Sequence, residues 1–325
     1  MAIEVIKPGL ATSVQDAGRP GYYNIGIPIS GALDQYALRA ANLLVGNEER
    51  AAALEATLLG PELVFRAAAI VAVTGAEAAP KVNGEPRPRN ESFAVRADER
   101  LTFDLMKVGA RIYIAVAGGI EVPQVLGSRS TYALGALGGF AGRKLNAGDV
   151  LSTGQAASSA RPGRALAKDL VPVYPKSLEL RVLPGLYFHR LTEESAKTFF
   201  EDTWTVAPEA DRIGYRYRNG RALTFRERKQ PFGAGSDPSN IVDAGYPYGS
   251  IQVPGGVEPI ILHRDAVSGG GYAMIGTVIS ADMDRIAQMQ PNNLARFVEV
   301  DMKGALAARA AYKSQVGRLR AALRG

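Results

Sequence analysis

Gln15, Asp16 and Arg19, followed by Ser30 and Asp34, form the first concentration of groups able to hold a polar ligand. Gln carries a donor and an acceptor on one amide, Asp accepts only, and Arg presents a planar fork of N–H donors. Together they suit a carboxylate or a ureide-like amide. They lie in a stretch from Pro8 to Asp34 that is rich in glycine and proline and shows no sustained helical or strand period. Ordering such a segment is costly and its backbone groups must still find partners, so the stretch is expected to build a recognition site. A structural alternative stands beside that one: Asp16 and Arg19 pair across a turn, and Asp34 caps the helix that follows.

A second group comprises Gly118–Gly119, then Gly127–Ser128–Arg129–Ser130–Thr131–Tyr132, then Gly138–Gly139. Consecutive glycines let backbone amides converge on an anion, and Arg129, Ser128 and Ser130 add donors, as stabilising an oxyanion requires. No Gly-Lys-Ser/Thr ending is present and the glycine spacing does not match a dinucleotide fingerprint. The structural alternative places these glycines at barrel corners and Arg129 in a surface pair. A third group runs from Ser250 and Gln252 through Pro254–Gly255–Gly256 to His263, Asp265, Ser268, Gly269–Gly270–Gly271 and Tyr272. It reads as a cleft rim in which Gln252, Asp265 and Tyr272 face a ligand. A hydrolase triad from Ser268, His263 and Asp265 is disfavoured, because neighbours on one strand do not converge and no Gly-x-Ser-x-Gly elbow exists. Arg212 is a further candidate for a substrate carboxylate, with Asp211–Arg212 as a turn cap the favoured reading. Trp204, Tyr246 and Tyr248 read as packing.

These groups need a β scaffold to position them. Short strands are expected at Ile3–Ile6, Leu54–Leu58, Leu63–Phe65, Ala69–Val73 and Ile112–Val116, with Asn83–Gly84 as a tight hairpin turn. Helices are expected at about 34–45, at about 192–200 and from Met302 to Leu323, and further strands at Leu178–Leu183, Ile260–Leu262 and Phe297–Val300. Many short strands without strand–helix alternation favour barrels or sandwiches over a doubly wound sheet. Composition turns to Ala, Ser, Pro and Arg between Gly154 and Lys176, which divides the chain into a β-rich domain over 1–160 and a second over 175–325 that ends in a helix.

Composition closes off several chemistries. There is no cysteine and only two histidines, His189 and His263, which removes thiolate nucleophiles and disulfides and argues against any metal site. The net charge of +6 is spread along the chain without interleaved aromatics, so no nucleic-acid partner is expected. No apolar run spans a bilayer and no signal-like segment opens the chain, which points to the cytoplasm and no membrane partner.

Several longer motifs then occur in order: Pro8–Gly9 through Thr12–Ser13–Val14–Gln15–Asp16 to Gly21–Tyr22, Gly26–Ile27–Pro28 with Ser30–Gly31–Ala32 and Asp34, Leu54–Glu55 with Gly60–Pro61, Ala115–Val116–Ala117–Gly118–Gly119–Ile120 continuing to Gly127–Ser128–Arg129–Ser130–Thr131, and Ile251–Gln252–Val253–Pro254. In these, over about Ile3 to Val300, the chain resembles the biotin-dependent carboxyltransferase family, which includes allophanate hydrolase subunit two, the C component of 5-oxoprolinase, the KipA proteins and the carboxyltransferase domain of urea carboxylase. The resemblance implies two β-barrel-like, cyclophilin-like domains in a mainly β chain with a few helices. It implies a subunit of a biotin-dependent carboxyltransferase or an ATP-dependent lactam- or amide-cleaving complex, acting on a small urea, amide or lactam. Carboxybiotin would arrive on a separate biotinyl carrier made by a biotin carboxylase, ATP would enter only through partners, and the partner would be similar to KipI or to the B component of 5-oxoprolinase. Arg129 and Asp265 are the expected catalytic residues, and Gln15, Asp16, Arg19, Ser30, Ser128, Ser130, Gln252 and Tyr272 the expected substrate contacts. The alternative is a non-catalytic, KipA-like regulator of a KipI-like kinase inhibitor. One departure stands out: Asp265–Ala266–Val267–Ser268–Gly269–Gly270–Gly271–Tyr272 replaces the family's Asp-Arg-Gln-Thr-Thr-Gly-Gly-Tyr, and Gln290–Pro291–Asn292–Asn293 replaces a Pro-Gly-Asp turn. Loss of a guanidinium and an amide from a polar rim predicts a changed ligand.

Overall fold

The computed structural model describes residues 1–323; Arg324 and Gly325 lie outside the described residues. The chain forms two compact units. One holds Met1–Arg19, Ser30–Tyr174 and the chain from Ser314 on; the other holds Pro20–Ile29 and Pro175–Lys313.

In order, the first unit contains β1 (Ala2–Lys7), β2 (Ala11–Gln15), α1 (Gln35–Leu44), β3 (Ala53–Thr57), β4 (Glu62–Phe65), β5 (Ala69–Gly75), β6 (Pro80–Val82), β7 (Glu85–Pro86), β8 (Ser92–Val95), β9 (Arg100–Phe103), β10 (Arg111–Val116), β11 (Ile120–Glu121) and β12 (Val150–Thr153). They build a seven-stranded sheet in the order β11-β12-β1-β4-β9-β6-β7 and a five-stranded sheet in the order β2-β3-β10-β5-β8. Ile3 and Val5 of β1, Leu63 and Phe65 of β4, and Leu54, Val73 and Ile114 of the second sheet share one apolar core. Strand β1 alternates buried and half-buried residues, as a strand with one face on the core must. Strand β10 is buried at all six positions, because α1 lies against it and β5 on the face away from the core. That double cover explains the unbroken run Ile112–Val116. The hairpin at Asn83–Gly84 forms with positive φ at both residues, 50° and 88°, as a primed turn requires. Asp34 caps α1 by accepting from Ala37 N at 2.9 Å.

The second unit begins with β13 (Ser177–Pro184), α2 (Glu193–Glu201), β14 (Trp204–Val206), β15 (Gly214–Arg218), β16 (Asn240–Gly245) and β17 (Ser250–Gln252). It continues with β18 (Ile260–Leu262), β19 (Gly269–Tyr272), β20 (Met274–Val278), α3 (Met283–Ile286), β21 (Leu294–Glu299) and α4 (Met302–Leu323), whose last turns, from Ser314, belong to the first unit. Seven strands close a barrel in the order β13-β20-β17-β18-β15-β14-β21, joined through one parallel pair, β13 with β21; β16 and β19 form a separate two-stranded ribbon. Aromatic side chains fill the barrel: Trp204 and Tyr217 are fully buried, and the Phe199 and Phe297 rings stack at 4.6 Å. Burying each such side chain contributes about 1.5–3 kcal/mol.

The chain is therefore mainly β with a few helices, as expected. Two local expectations are corrected. The segment Ala11–Gln15, read as aperiodic, is strand β2; four of its five residues are buried, so no polar alternation marks it. The triple glycine read as an open rim is strand β19, paired with β16. The stretch expected to link the domains lies along β8: Ser92 N donates to Arg164 O at 2.8 Å and Gly163 N to Ser92 O at 2.7 Å. Among the described residues no helix is long and apolar enough to cross a membrane, and no cluster of His, Asp and Glu could hold a metal ion.

Candidate functional site

Strand β2 ends at Gln15, and Asp16 follows as the hub of the first unit's polar cluster. Its Oδ1 accepts from Gly18 N at 2.8 Å, from Ser128 Oγ at 2.7 Å and from Ser130 Oγ; its Oδ2 accepts from Arg129 N at 2.6 Å. Its own N–H donates to Ser130 Oγ at 3.1 Å and its carbonyl accepts from Ala32 N at 2.9 Å. Arg19, 1% exposed, donates from its NH2 group to the Ser130 carbonyl. Asp16 thus draws together the end of β2 and the loop 127–131 through its carboxylate and the segment 30–32 through its backbone carbonyl, and Gln15, Asp16, Arg19, Ser30, Ser128, Arg129 and Ser130 share one locality. Ser30 is fully buried there, at φ 51° in the left-handed region, which the surrounding bonds hold in place.

Those bonds also sort the cluster. The Ser128 and Ser130 hydroxyls and the Arg129 amide donate to Asp16, so they organise the loop. Two groups face a different situation. Gln15, 1% exposed, uses its amide N–H to reach Ser13 Oγ at 3.0 Å and Thr131 O at 3.1 Å, while its Oε1 is buried with no hydrogen-bond partner. Arg129 spends Nε on the Val122 carbonyl at 2.9 Å; its terminal nitrogens make no bond among the described residues, and its side chain is half-buried. An unmatched acceptor and a free guanidinium edge therefore remain on adjoining segments.

Beneath the segment 30–34 lies a buried network that the residue types alone do not announce. Glu55 of β3 accepts at Oε2 from Leu33 N and from the Tyr113 hydroxyl, both at 2.8 Å, and Tyr113 accepts from Asp34 N at 2.8 Å. The Tyr174 hydroxyl donates to Asp34 Oδ2 at 3.1 Å. Burial, and then the charges of Glu55 and Asp34, push the Tyr113 phenol well up. The available signal was one carboxylate inside an apolar strand, opposite Tyr113 in register.

The paired glycines Gly118–Gly119 do not form the anion loop that was one reading of them. Gly118 N donates to Asn47 Oδ1 at 2.8 Å and Gly119 N to Val116 O at 2.8 Å. Gly118, at φ +93°, instead lets the turn press against the Gly154 carbonyl, where a Cβ would overlap it. Gly118→Ala is expected to cost about 2 kcal/mol through strain and overlap, measurable as a lower urea midpoint at unchanged slope.

In the second unit, Asp265 is 5% exposed and gripped by Arg212, Nε to Oδ2 at 2.7 Å and NH2 to Oδ1 at 3.1 Å; its N–H donates to the Arg212 carbonyl at 3.0 Å. Asp211 caps the turn, accepting at Oδ1 from Ile213 N and Gly214 N. Gln252 is buried at the end of β17, and the Tyr246 hydroxyl brackets the backbone of Tyr272, donating to its carbonyl and accepting from its N–H, both at 2.8 Å. The Tyr272 ring is 42% exposed. His263 is buried, with Nε2 on the Met283 carbonyl at 3.2 Å and Nδ1 accepting from Arg264 N at 3.0 Å. Both ring nitrogens are occupied by backbone, so His263 has no position from which to activate Ser268.

Comparison with known proteins agrees with this architecture. The family model "Carboxyltransferase domain, subdomain A and B" matches residues 25–299. The chain is 35% identical over 307 residues to the C component of Escherichia coli 5-oxoprolinase, covering 94% of each. It is 37% identical over 311 residues to urea amidolyase of Lachancea kluyveri, covering 92% of this chain and 17% of that protein, so it spans about a sixth of that relative's length. The crystal structure of Kluyveromyces lactis urea carboxylase superposes with a TM-score of 0.90 at 35% identity, over 98% of this chain and 29% of that one. Matched along most of its length by the family model, and nearly end to end by one relative, the chain belongs to the carboxyltransferase domain family, subdomains A and B.

Proposed function

We propose that this chain is one subunit of a carboxyltransferase or amide-cleaving complex, active together with partner subunits on a small urea, amide or lactam. The supporting observation is the buried, unpartnered Gln15 Oε1 next in sequence to Asp16, whose carboxylate holds the Arg129 amide. Leaving an acceptor buried and unmatched costs about 1–3 kcal/mol, a cost removed by an N–H of the kind that ureas, lactams and the biotin ureide all present. The residues therefore fit a ureide: Gln15 accepts from its N–H, and Arg129 donates to its oxygen or to a carboxylate as negative charge develops.

In this reading Asp16, Ser128, Ser130 and Arg19 act at one remove. They fix the loop so that the Arg129 guanidinium meets its target without reorganisation, and Ser30 closes the cluster from the segment before α1. In the second unit, Tyr272 and Gln252 are proposed as ligand contacts on the rim. Asp265, both oxygens held by Arg212, sets local charge and orientation. When bound, carboxybiotin delivered on a separate biotinyl carrier supplies the carboxyl group; ATP enters through partners, either a biotin carboxylase or a protein similar to KipI or to the B component of 5-oxoprolinase.

The test is reconstitution with 5-oxoprolinase-type partners, and separately with a biotin carboxylase and biotinyl carrier, on urea and 5-oxoproline. Arg129→Ala is expected to lower kcat by about 10²-fold, the usual effect of removing one oxyanion donor, with Arg129→Lys recovering part of it. Unchanged turnover in Arg129→Ala removes the residue from the site. No turnover with any partner, together with tight binding to a kinase inhibitor, supports the KipA-like regulatory reading instead.

A further inference from the structure

A cavity of about 780 Å³ opens in the first unit away from the ligand residues above. The loop that follows α1, the Gly118 turn, the stretch 155–159 and the last turns of α4 form its walls, and Arg50, Arg164 and Arg320 contribute to its lining. Its size falls in the range of about 300–1,000 Å³ typical of small-molecule sites.

Three arginines and two glutamates, Glu48 and Glu49, line the cavity, leaving its charged wall with a net charge of +1. Arg320 holds Glu49 through two bonds, Nε to Oε2 at 2.7 Å and NH2 to Oε1 at 2.8 Å, and Arg39 reaches the same carboxylate at 2.7 Å. Those guanidinium groups hold the Glu49 carboxyl below the usual range, and the trio keeps a net charge of +1. Arg164 donates to the Leu323 carbonyl, and neither it nor Arg161 forms an ion pair with a carboxylate among the described residues. Burial and the neighbouring Arg161 charge lower the Arg164 pKa, the direction expected of a cation lacking a counter-charge. Glu48 and Arg50 offset one another at the exposed edge. The end of α1 adds little opposing field, because the Leu43 and Asn42 carbonyls accept from Gly46 N and Asn47 N. A smaller cavity of about 380 Å³, walled by Ile70, Val95 and several alanines, shares Ala157 with the first and offers an apolar annex.

We propose that this cavity binds a small organic anion bearing two or more carboxylate or phosphate groups, held by Arg164 with Arg50 at its edge, while Arg320, paired with Glu49, adds positive field from the same wall. An anion here supplies a counter-charge that Arg164 lacks among the described residues. The site is independent of the reaction proposed above, and its test involves no turnover.

Isothermal titration of the full chain at low salt, with citrate in one arm and pyrophosphate in the other, reads the site directly. The expected result is one-to-one binding of at least one probe, weakened by added salt. Arg164→Gln is expected to weaken it about tenfold or more, as loss of a charge-assisted contact does, and Arg320→Gln by less, through the lost field alone, while Arg100→Gln, a surface cation paired with Glu62, leaves it unchanged. Binding of citrate alone identifies a carboxylate ligand, and of pyrophosphate alone a phosphate ligand. Since Arg320 also anchors α4, Ala157→Trp provides a second route: it fills the cavity without touching an ion pair and is expected to abolish binding. No binding of either probe at millimolar concentration overturns the proposal. So does wild-type affinity in folded Arg164→Gln or Ala157→Trp protein.

Discussion

Asp16→Ala is expected to lower the unfolding free energy by about 4 kcal/mol, the largest single effect in the first unit. The carboxylate accepts four hydrogen bonds: two from backbone N–H groups, Gly18 and Arg129, and two from the fully buried hydroxyls of Ser128 and Ser130. Removing it strands these donors together in a place with little water, and each then carries its desolvation cost without a partner. Ser128→Ala should cost only about 1 kcal/mol, because it removes one donor and leaves the carboxylate with three. Asp16→Asn keeps the shape but turns one oxygen into a donor facing other donors, so it should fall between the two. Urea denaturation of the three variants gives the order directly. A loss below about 1 kcal/mol for Asp16→Ala would mean that the loop re-pairs without its hub. The same experiment bears on function, because a loop released from Asp16 no longer presents the Arg129 guanidinium in a fixed place, and activity should fall in Asp16→Ala even at temperatures where it stays folded.

What the sequence made legible follows from which signals are local. Helix α1 was readable because Asp34 caps it and one apolar face repeats, and the Asn83–Gly84 hairpin because two residues accept positive φ. The membership of the 15–34 and 127–131 segments in one polar cluster was visible as residue types. Their division of labour was not, since it depends on a hydrogen-bond network spanning more than a hundred residues: Ser128 and Ser130 read as ligand donors until their bonds to Asp16 are seen. Strand β2 was hidden because both its faces are covered, which erases the period of two. The Gly118 pair looked like an anion nest, and a single long-range partner, Asn47, decides otherwise. Glu55 was hidden by its strand, where a lone carboxylate among apolar residues reads as a solvent-facing position; only the opposed Tyr113 reveals it as a buried anchor for the start of α1.

Asp265→Ala is expected to cost about 3 kcal/mol, and the cost should largely disappear when Arg212 is removed as well. The pair is bidentate, with side-chain exposures of 6% for Asp265 and 18% for Arg212, so screening by water is limited and the charge left behind by either truncation has few alternatives. Breaking one side strands a guanidinium or a carboxylate; deleting both removes the desolvation cost together with the attraction. A double-mutant cycle on Asp265→Ala and Arg212→Ala should therefore show a coupling of about 2 kcal/mol with the double variant more stable than the sum of the singles predicts. Additive losses would show that Asp265 is stabilised by other contacts and that Arg212 is free to serve a ligand. Coupling of the expected size instead means that a ligand carboxylate competes with Asp265 for the same guanidinium, and in the folded protein Arg212 is already taken. Substrate carboxylates would then have to be bound elsewhere, which shifts that role toward Arg129, whose terminal nitrogens have no partner among the described residues.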